Sequence, residues 1–245
     1  MQSEVVLIHG WGMNQQVWQL VATELATELG RPVRALNLPG FGGEALPNGS
    51  YDLDSVVEQI SERIAPNSIL VGWSLGGLVA TKLASSKPEK VSHLVLVSSN
   101  VQFCESEQWP GIKAEVLAQF KEQLAKDSRK TIERFLAIQA MGSEHAKADI
   151  KQIKALLLQA PEPSDVALSA GLDILQTTDL RQEFSELKCQ ISGIFGRLDA
   201  LVPVAVVEQL SELNHIFTHK VLSKASHAPF ISHRQEFISY LKSVL

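Results

Sequence analysis

Gly72-Trp73-Ser74-Leu75-Gly76-Gly77 is the stretch on which the reading of this chain turns. It follows a short apolar run, residues 68–71, and opens an amphipathic one, residues 75–86. Strand, Gly-x-Ser-x-Gly, helix is the setting of a nucleophile elbow, in which a sharp turn lifts a serine hydroxyl clear of the sheet. Gly72 and Gly76 stand where such a turn leaves no room for a Cβ. A glycine-rich turn whose serine merely caps the next helix fits the same six residues. Ser74 is therefore a candidate nucleophile that needs partners elsewhere in the chain.

Outward from the elbow, apolar runs at 5–8, 33–38, 94–97, 191–195 and 219–222 read as strands buried on both faces. Helical periodicity covers 17–29, the segment carrying Val56, Val57, Ile60 and Ile64, 75–86, 204–213 and 230–245. Gly30 stops the first of these helices, and Asp52 or Asp54 caps the second. Alternation of this kind predicts right-handed crossovers and an α/β fold with a mostly parallel central sheet flanked by helices. Between 104 and 180 no strand is evident. Four helical runs replace it, at 113–126, 128–140, 143–159 and 164–176. We expect an α/β core of residues 1–103 and 181–245, with 104–180 as an all-helical cap over the carboxyl ends of the strands, where open α/β sheets bind ligands.

The bulk composition removes several classes. A formal charge of −5 does not suit a nucleic-acid binder. Cys104 and Cys189 lie far apart without a CxxC motif, which excludes a disulfide scaffold and leaves two reduced, partly buried thiols. The start of the sequence, Met1-Gln2-Ser3-Glu4, lacks a basic leader, and no apolar run approaches the roughly 20 residues of a membrane span. A soluble, cytoplasmic monomer with no membrane contact is expected.

A serine hydroxyl becomes nucleophilic when a base takes its proton. In the hydrolase order Ser…Asp…His, acid and base follow later strands. Asp199 comes just after the 191–195 strand, and His227 just after the last one. Taken singly these are a turn aspartate and a loop histidine. Taken together, at matching strand ends and in the required order, they complete a triad with Ser74. Oxyanion donors are expected from the backbone N–H of Leu75 and from that of Trp11, in the loop after the first strand. His9 orders that loop by hydrogen bonding, and His233 falls inside the closing helix. No histidine shares a metal-ligand cluster with Cys, Asp or Glu, so neither metal nor cofactor is expected.

The residues that carry a family resemblance are His9-Gly10-Trp11-Gly12, the hexapeptide, and Glu107-Gln108-Trp109-Pro110-Gly111-Ile112-Lys113. Further on are Glu133-Arg134-Phe135-Leu136-Ala137, Gly171-Leu172-Asp173-Ile174-Leu175 and Ser226-His227-Ala228-Pro229-Phe230-Ile231-Ser232-His233. Over nearly its whole length the chain resembles an α/β-hydrolase, and closely the bacterial pimeloyl-acyl-carrier-protein methyl ester carboxylesterases of biotin synthesis. The resemblance implies hydrolysis of that carrier-linked methyl ester with release of methanol, and activity on short-chain esters. It also implies that Phe135, Leu136, Ala137, Ile138 and Gln139 cover the acyl chain beside Trp11, Ser74, Leu75 and His227. In one respect the chain departs from the pattern. Members of this fold usually begin with one or two further strands before the His-Gly loop, so the antiparallel edge is expected to be short or missing.

A second hint concerns the partner. Residues 111–160 hold nine Lys/Arg against six Asp/Glu, a surplus of three in a chain of total charge −5, which leaves the remainder at −8. Lys130 and Arg134 are spaced i, i+4, and Lys147, Lys151 and Lys154 share a helix face. Such a face either is simply solvated or steers an acidic, phosphate-bearing acyl-carrier protein to the pocket. A broad short-chain esterase, a thioesterase, and a non-catalytic binding protein on a hydrolase fold are the competing readings.

Overall fold

The apolar run Val5–Ile8 becomes strand β1, and its alternate residues feed two different cores. Val6 and Ile8 belong to one buried cluster, Val5 and Leu7 to the other. A strand buried on both faces needs a layer of helices on each side. The computed structural model, which describes residues 3–141 and 145–245, supplies both layers.

After β1 the chain makes a 3-10 turn, Gln15–Trp18, and helix α1, Gln19–Leu29, then strand β2, Val33–Leu36. Helix α2, Leu53–Ser61, is capped by Asp52, whose carboxylate accepts from Ser55 N while the Ser55 hydroxyl accepts from Asp52 N; Asp54 lies within the first turn. Strand β3, Ser68–Trp73, runs into α3, Leu75–Ser86, and β4, Val91–Val97, follows. Next come α4, Ala114–Leu124, α5, Ser128–Gln139, α6, Ala146–Leu157, and α7, Asp165–Thr177. Helix α8, Arg181–Glu186, leads back to β5, Gln190–Gly196. The chain closes with α9, Val206–Leu213, β6, Phe217–Leu222, α10, Pro229–Ser232, and α11, Arg234–Val244.

The six strands form one sheet in the order β2-β1-β3-β4-β5-β6, and every neighbouring pair is parallel. No antiparallel strand borders β2 among the described residues. Helices α2, α3 and α9 pack on one face of the sheet, with α4 and α7 extending that core; α1 and α11 pack on the other. Loops after β1, β2 and β6 meet α5 and α7 directly. Ser164 N donates to Gly40 O at 2.8 Å, Trp11 Nε1 to Leu168 O at 2.8 Å, and Ser226 Oγ to Gln139 O at 2.8 Å. The helices between β4 and β5 therefore lie against the carboxyl ends of the strands. Among the described residues no helix is long and apolar enough to cross a membrane.

The structure differs from the sequence reading in several helices. The closing helix, expected to run unbroken over 230–245, is two helices. His233 leaves the helical region at φ −129°, ψ 46°, and stands between them at the start of α11 rather than inside a helix. The first helix begins with a 3-10 turn, where Asn14 caps Gln16 N. Helix α8 was not expected, because six residues are too few to show a helical period. The helix expected from 143 is observed from Ala146; residues 143 and 144 lie outside the described residues.

Candidate active site

Ser74 sits between β3 and α3 with φ 54° and ψ −120°, a conformation that a residue bearing a Cβ rarely adopts. Its surroundings hold it there. A Cβ on Gly72 would strike the Gly76 carbonyl oxygen, and one on Gly76 would stand 2.6 Å from the carbonyl oxygen of His9. Ser74 N donates to Val97 O at 3.1 Å, while Ser74 O accepts from Ser99 Oγ at 2.7 Å and from Gly77 N at 2.8 Å. Gly77 is what admits Ser99, since a Cβ there would meet the Ser99 hydroxyl. The Ser74 side chain makes no capping bond to α3, so the helix-cap reading of this serine is set aside.

The acid and the histidine meet because their two loops are tied together. Arg197 N donates to Leu222 O and Leu198 N to Ala225 O, both at 3.0 Å. Asp199 Oδ2 accepts from His227 Nδ1 at 2.7 Å, and its Oδ1 accepts from Leu201 N at 2.8 Å and Val202 N at 3.0 Å. A buried carboxylate with three donors is satisfied as an anion. Its contact puts the imidazole proton on Nδ1 and leaves Nε2 to act as acceptor. Nε2 is buried without a hydrogen-bond partner; the Ser74–His227 bond is not formed in this structure. Unliganded sites are often loose at this step. The histidine backbone is fixed from two sides: Trp73 Nε1 donates to His227 O at 2.8 Å, and His227 N donates to Gln139 O at 3.2 Å. Trp73 precedes Ser74, so this bond brings the histidine loop to the elbow.

The loop after β1 presses on the same point. A Cβ on Gly10 would stand 3.1 Å from Ser74 Cβ. His9 spans that loop and the one after β2: Leu38 N donates to His9 Nε2 at 3.0 Å, and His9 Nδ1 donates to Gly10 O at 2.8 Å. Burial pulls the His9 pKa down to about 4, which keeps the ring neutral and able to accept. Among the described residues, neither the Trp11 nor the Leu75 N–H is taken by a backbone carbonyl in a turn or cap. The Trp11 ring is buried, edge-on to Phe135 with centroids 4.8 Å apart. Helix α7 lies close above this pair because residue 171 is glycine: a Cβ there would meet Trp11 Cδ1 at 2.7 Å and Leu75 Cδ2 at 3.5 Å.

Residues 135–139 form the last turns of α5. Phe135, Leu136 and Gln139 are buried, and Ile138 packs against the larger core. Ala137, between them, is exposed. Neither amide atom of the Gln139 side chain has a hydrogen-bond partner. Beside α5 a cavity of about 420 Å³ is bounded by Gly12, Met13, Ile132, Leu136, Leu157 and Leu168. It reaches the loop after β1 at Gly12 and α5 at Leu136, but Ser74 and His227 do not line it and both are buried.

Of the five basic residues expected to meet a carrier protein, three have partners. Lys130 pairs with Asp127 and Lys154 with Glu133, each at 3.0 Å, and the Arg134 guanidinium lies 5.8 Å from the Phe120 ring centroid. Lys147 and Lys151 are exposed, with no ion pair among the described residues. Nor do three or more His, Cys, Asp or Glu converge into a metal-binding group among the described residues. Sequence reading missed Trp73, Ser99 and Ser226 as positioning groups. Trp73 had a signal in its place inside the elbow, and Ser226 one in its place beside His227 in a stretch that carries the resemblance; Ser99 had none.

Comparison with known proteins is consistent along the chain. The sequence profile of the alpha/beta hydrolase family matches residues 5–239. The chain is 47% identical over 240 residues to a pimeloyl-[acyl-carrier protein] methyl ester esterase of Aeromonas salmonicida, covering 98% of this chain and 94% of that one. It is 42% identical to the protein of the same description from Klebsiella pneumoniae, covering 95% and 90%. Among solved structures it is similar to an esterase from Exiguobacterium antarcticum, with TM-score 0.87, 23% identity and coverage of 99% and 91%. An enol-lactonase from Burkholderia xenovorans is similar at TM-score 0.84, 16% identity and coverage of 100% and 91%; at these identities the two structures speak for the fold alone.

Proposed function

Since the chain belongs to the alpha/beta hydrolase family, we propose that it is a carboxylic ester hydrolase that converts the methyl ester of pimeloyl-acyl-carrier protein to pimeloyl-acyl-carrier protein and methanol, a step of biotin synthesis. The supporting observation is the buried His227–Asp199 pair, whose Nε2 is left without a partner next to the strained elbow. The near full-length similarity to esterases of that description supports the substrate.

In this reading Ser74 Oγ attacks the ester carbonyl as His227 Nε2 takes its proton. The imidazolium then protonates the departing methoxide, and methanol leaves. A water, deprotonated by the same nitrogen, releases the acid and restores Ser74. Asp199 holds the tautomer and stabilises the imidazolium. The Trp11 and Leu75 N–H groups receive the oxyanion, where losing one such donor costs about 3 kcal/mol. Residues 104–180 act as the cap. The α5 residues Phe135, Leu136, Ala137, Ile138 and Gln139 bound the acyl chain, and the cavity at Gly12 and Leu136 is its way in. Lys147 and Lys151, exposed on α6, steer the acidic carrier, with Lys130, Arg134 and Lys154 beside them.

Incubation with pimeloyl-carrier-protein methyl ester beside simple short esters, read by mass, tests the reading. Methanol with the thioester intact is expected. Cleavage at the thioester would make the protein a thioesterase, and turnover of short esters alone a broad esterase. Charge reversal at Lys147 and Lys151 should slow the carrier-linked ester more than a free one; equal slowing removes the steering role.

A further inference from the structure

The end of α5 is fastened to the histidine loop by a hydroxyl that the triad does not use. A helix leaves its last carbonyls without helical partners. At the end of α5, the Gln139 and Met141 carbonyls share one donor: the single Ser226 O–H lies 2.8 Å from the first and 2.9 Å from the second, oxygen to oxygen. Ser226 is buried, and the N–H of the next residue, His227, shares the Gln139 carbonyl at 3.2 Å. The other flank of His227 is held from β3 by Trp73. One grip on the histidine thus comes from the sheet, and the other from the helices seated over the site.

We propose that Ser226 is a positioning residue: its hydroxyl latches the end of α5 to the histidine loop, so that a seated α5 and a working orientation of His227 are one state. The inference rests on the reading of Ser74, Asp199 and His227 as the reacting set. Ser74 is buried in this arrangement, and α5 and α7 lie over its neighbours, so an ester reaches it only when these helices yield. When α5 withdraws, the Ser226 hydroxyl and the His227 N–H lose their acceptors together. His227 then keeps only the Trp73 and Asp199 bonds, beside the backbone bond of Leu198 N to Ala225 O at the start of its loop, and the imidazole is less firmly oriented towards Ser74. Reseating α5 restores both bonds and aligns the base at the moment the substrate is enclosed.

The test compares wild type with Ser226→Ala on a small soluble ester, with kcat counted per active site titrated by a fluorophosphonate. The expected result is a fall in kcat of about 10- to 100-fold, the usual cost of a displaced catalytic group. KM should change by less than about twofold. The rate constant for fluorophosphonate labelling of Ser74 should fall by the same factor as kcat. Unchanged kcat and labelling rate overturn the latch, as does a rise in KM with kcat kept. A wild-type protein that is not labelled at Ser74 overturns instead the catalytic reading beneath it. A second measurement needs no substitution. In wild type the His227 amide, whose acceptor Gln139 O lies on α5, should exchange hydrogen much faster than the amides of β3 inside the sheet, because an opening of α5 frees it without unfolding the strands. A His227 amide as protected as those of β3 also overturns the latch.

Discussion

The elbow and the histidine loop hold their side chains in opposite ways. Ser74 is fixed by absences close by, glycines without a Cβ, and by backbone groups of the adjoining strand. His227 is fixed by side chains far off in sequence: Asp199 at a separation of 28 residues and Trp73 at 154, with Ser226 reaching Gln139 across 87. Strain in the elbow is sustained by close packing that cannot relax without unfolding the strand ends. The loop is only as ordered as the three elements it touches. Changes in the elbow should therefore cost stability first, and changes around the loop should cost turnover first.

The sharpest break of this contrast is Asp199→Asn. The amide keeps an oxygen for Leu201 N and Val202 N, so the turn survives. Its NH₂ facing Nδ1 forces the proton to Nε2, where the ring can no longer accept from Ser74. A loss of about ten-thousandfold in kcat is expected, with a melting temperature close to wild type. Matching losses in both would mean that the acid is chiefly structural. The opposite change is Gly76→Ala, whose Cβ meets the backbone carbonyl oxygens of Ile8 and His9. Backbone cannot rotate away as a side chain can, so a stability loss of about 3 kcal/mol is expected. A urea midpoint unchanged from wild type would show that the elbow is not packed as described.

How much of this was legible follows the same division. The sheet, its helices and the elbow lie in local patterns: a buried strand is a run of apolar residues, and the elbow is six consecutive residues. Asp199 and His227 could be picked out because strand ends in a fixed order select them, and the structure joins them at 2.7 Å. The break at His233 could not be read, since Phe230, Ile231, Phe237 and Ile238 keep a helical period through it. Nor could the exposure of Ala137 be told from the burial of Phe135 and Leu136, because it depends on how α5 is rotated in place. Ser226 and Ser99 are ordinary serines until the carbonyls they meet are known. Long-range hydrogen bonds have no sequence period, and they are what hold the histidine.

Acid should test the sheet and the loop after β1 through two buried histidines. His9 and His93 are buried, and burial pulls both pKa values from 6.5 to about 4. The folded protein keeps these rings neutral, while the unfolded chain protonates them near 6.5. Their contribution to stability is therefore complete above pH 6.5 and is lost as the pH falls towards 4. Each shift is worth at most about 3 kcal/mol. The urea midpoint should fall between pH 7 and pH 4.5, and His93→Asn should flatten part of that slope. A midpoint independent of pH over this range would mean that both rings protonate within the fold.

The smallest effect probes whether the two regions are coupled. Trp73→Phe keeps a ring against Phe230, whose centroid lies 4.9 Å away, but removes the donor to His227 O. A buried carbonyl left unpaired costs about 1–3 kcal/mol of stability, and kcat should fall by about fivefold if one such bond aligns the base. Trp73 and Ser226 hold opposite flanks of the same loop. If both act by keeping one imidazole orientation, the first loss already admits the misaligned state and the second adds little. The double variant Trp73→Phe/Ser226→Ala should then lose less in kcat than the product of the two single losses. Losses that multiply would mean two independent restraints, and the contrast between a locally built elbow and a remotely held histidine would have to be redrawn with Trp73 on the elbow's side.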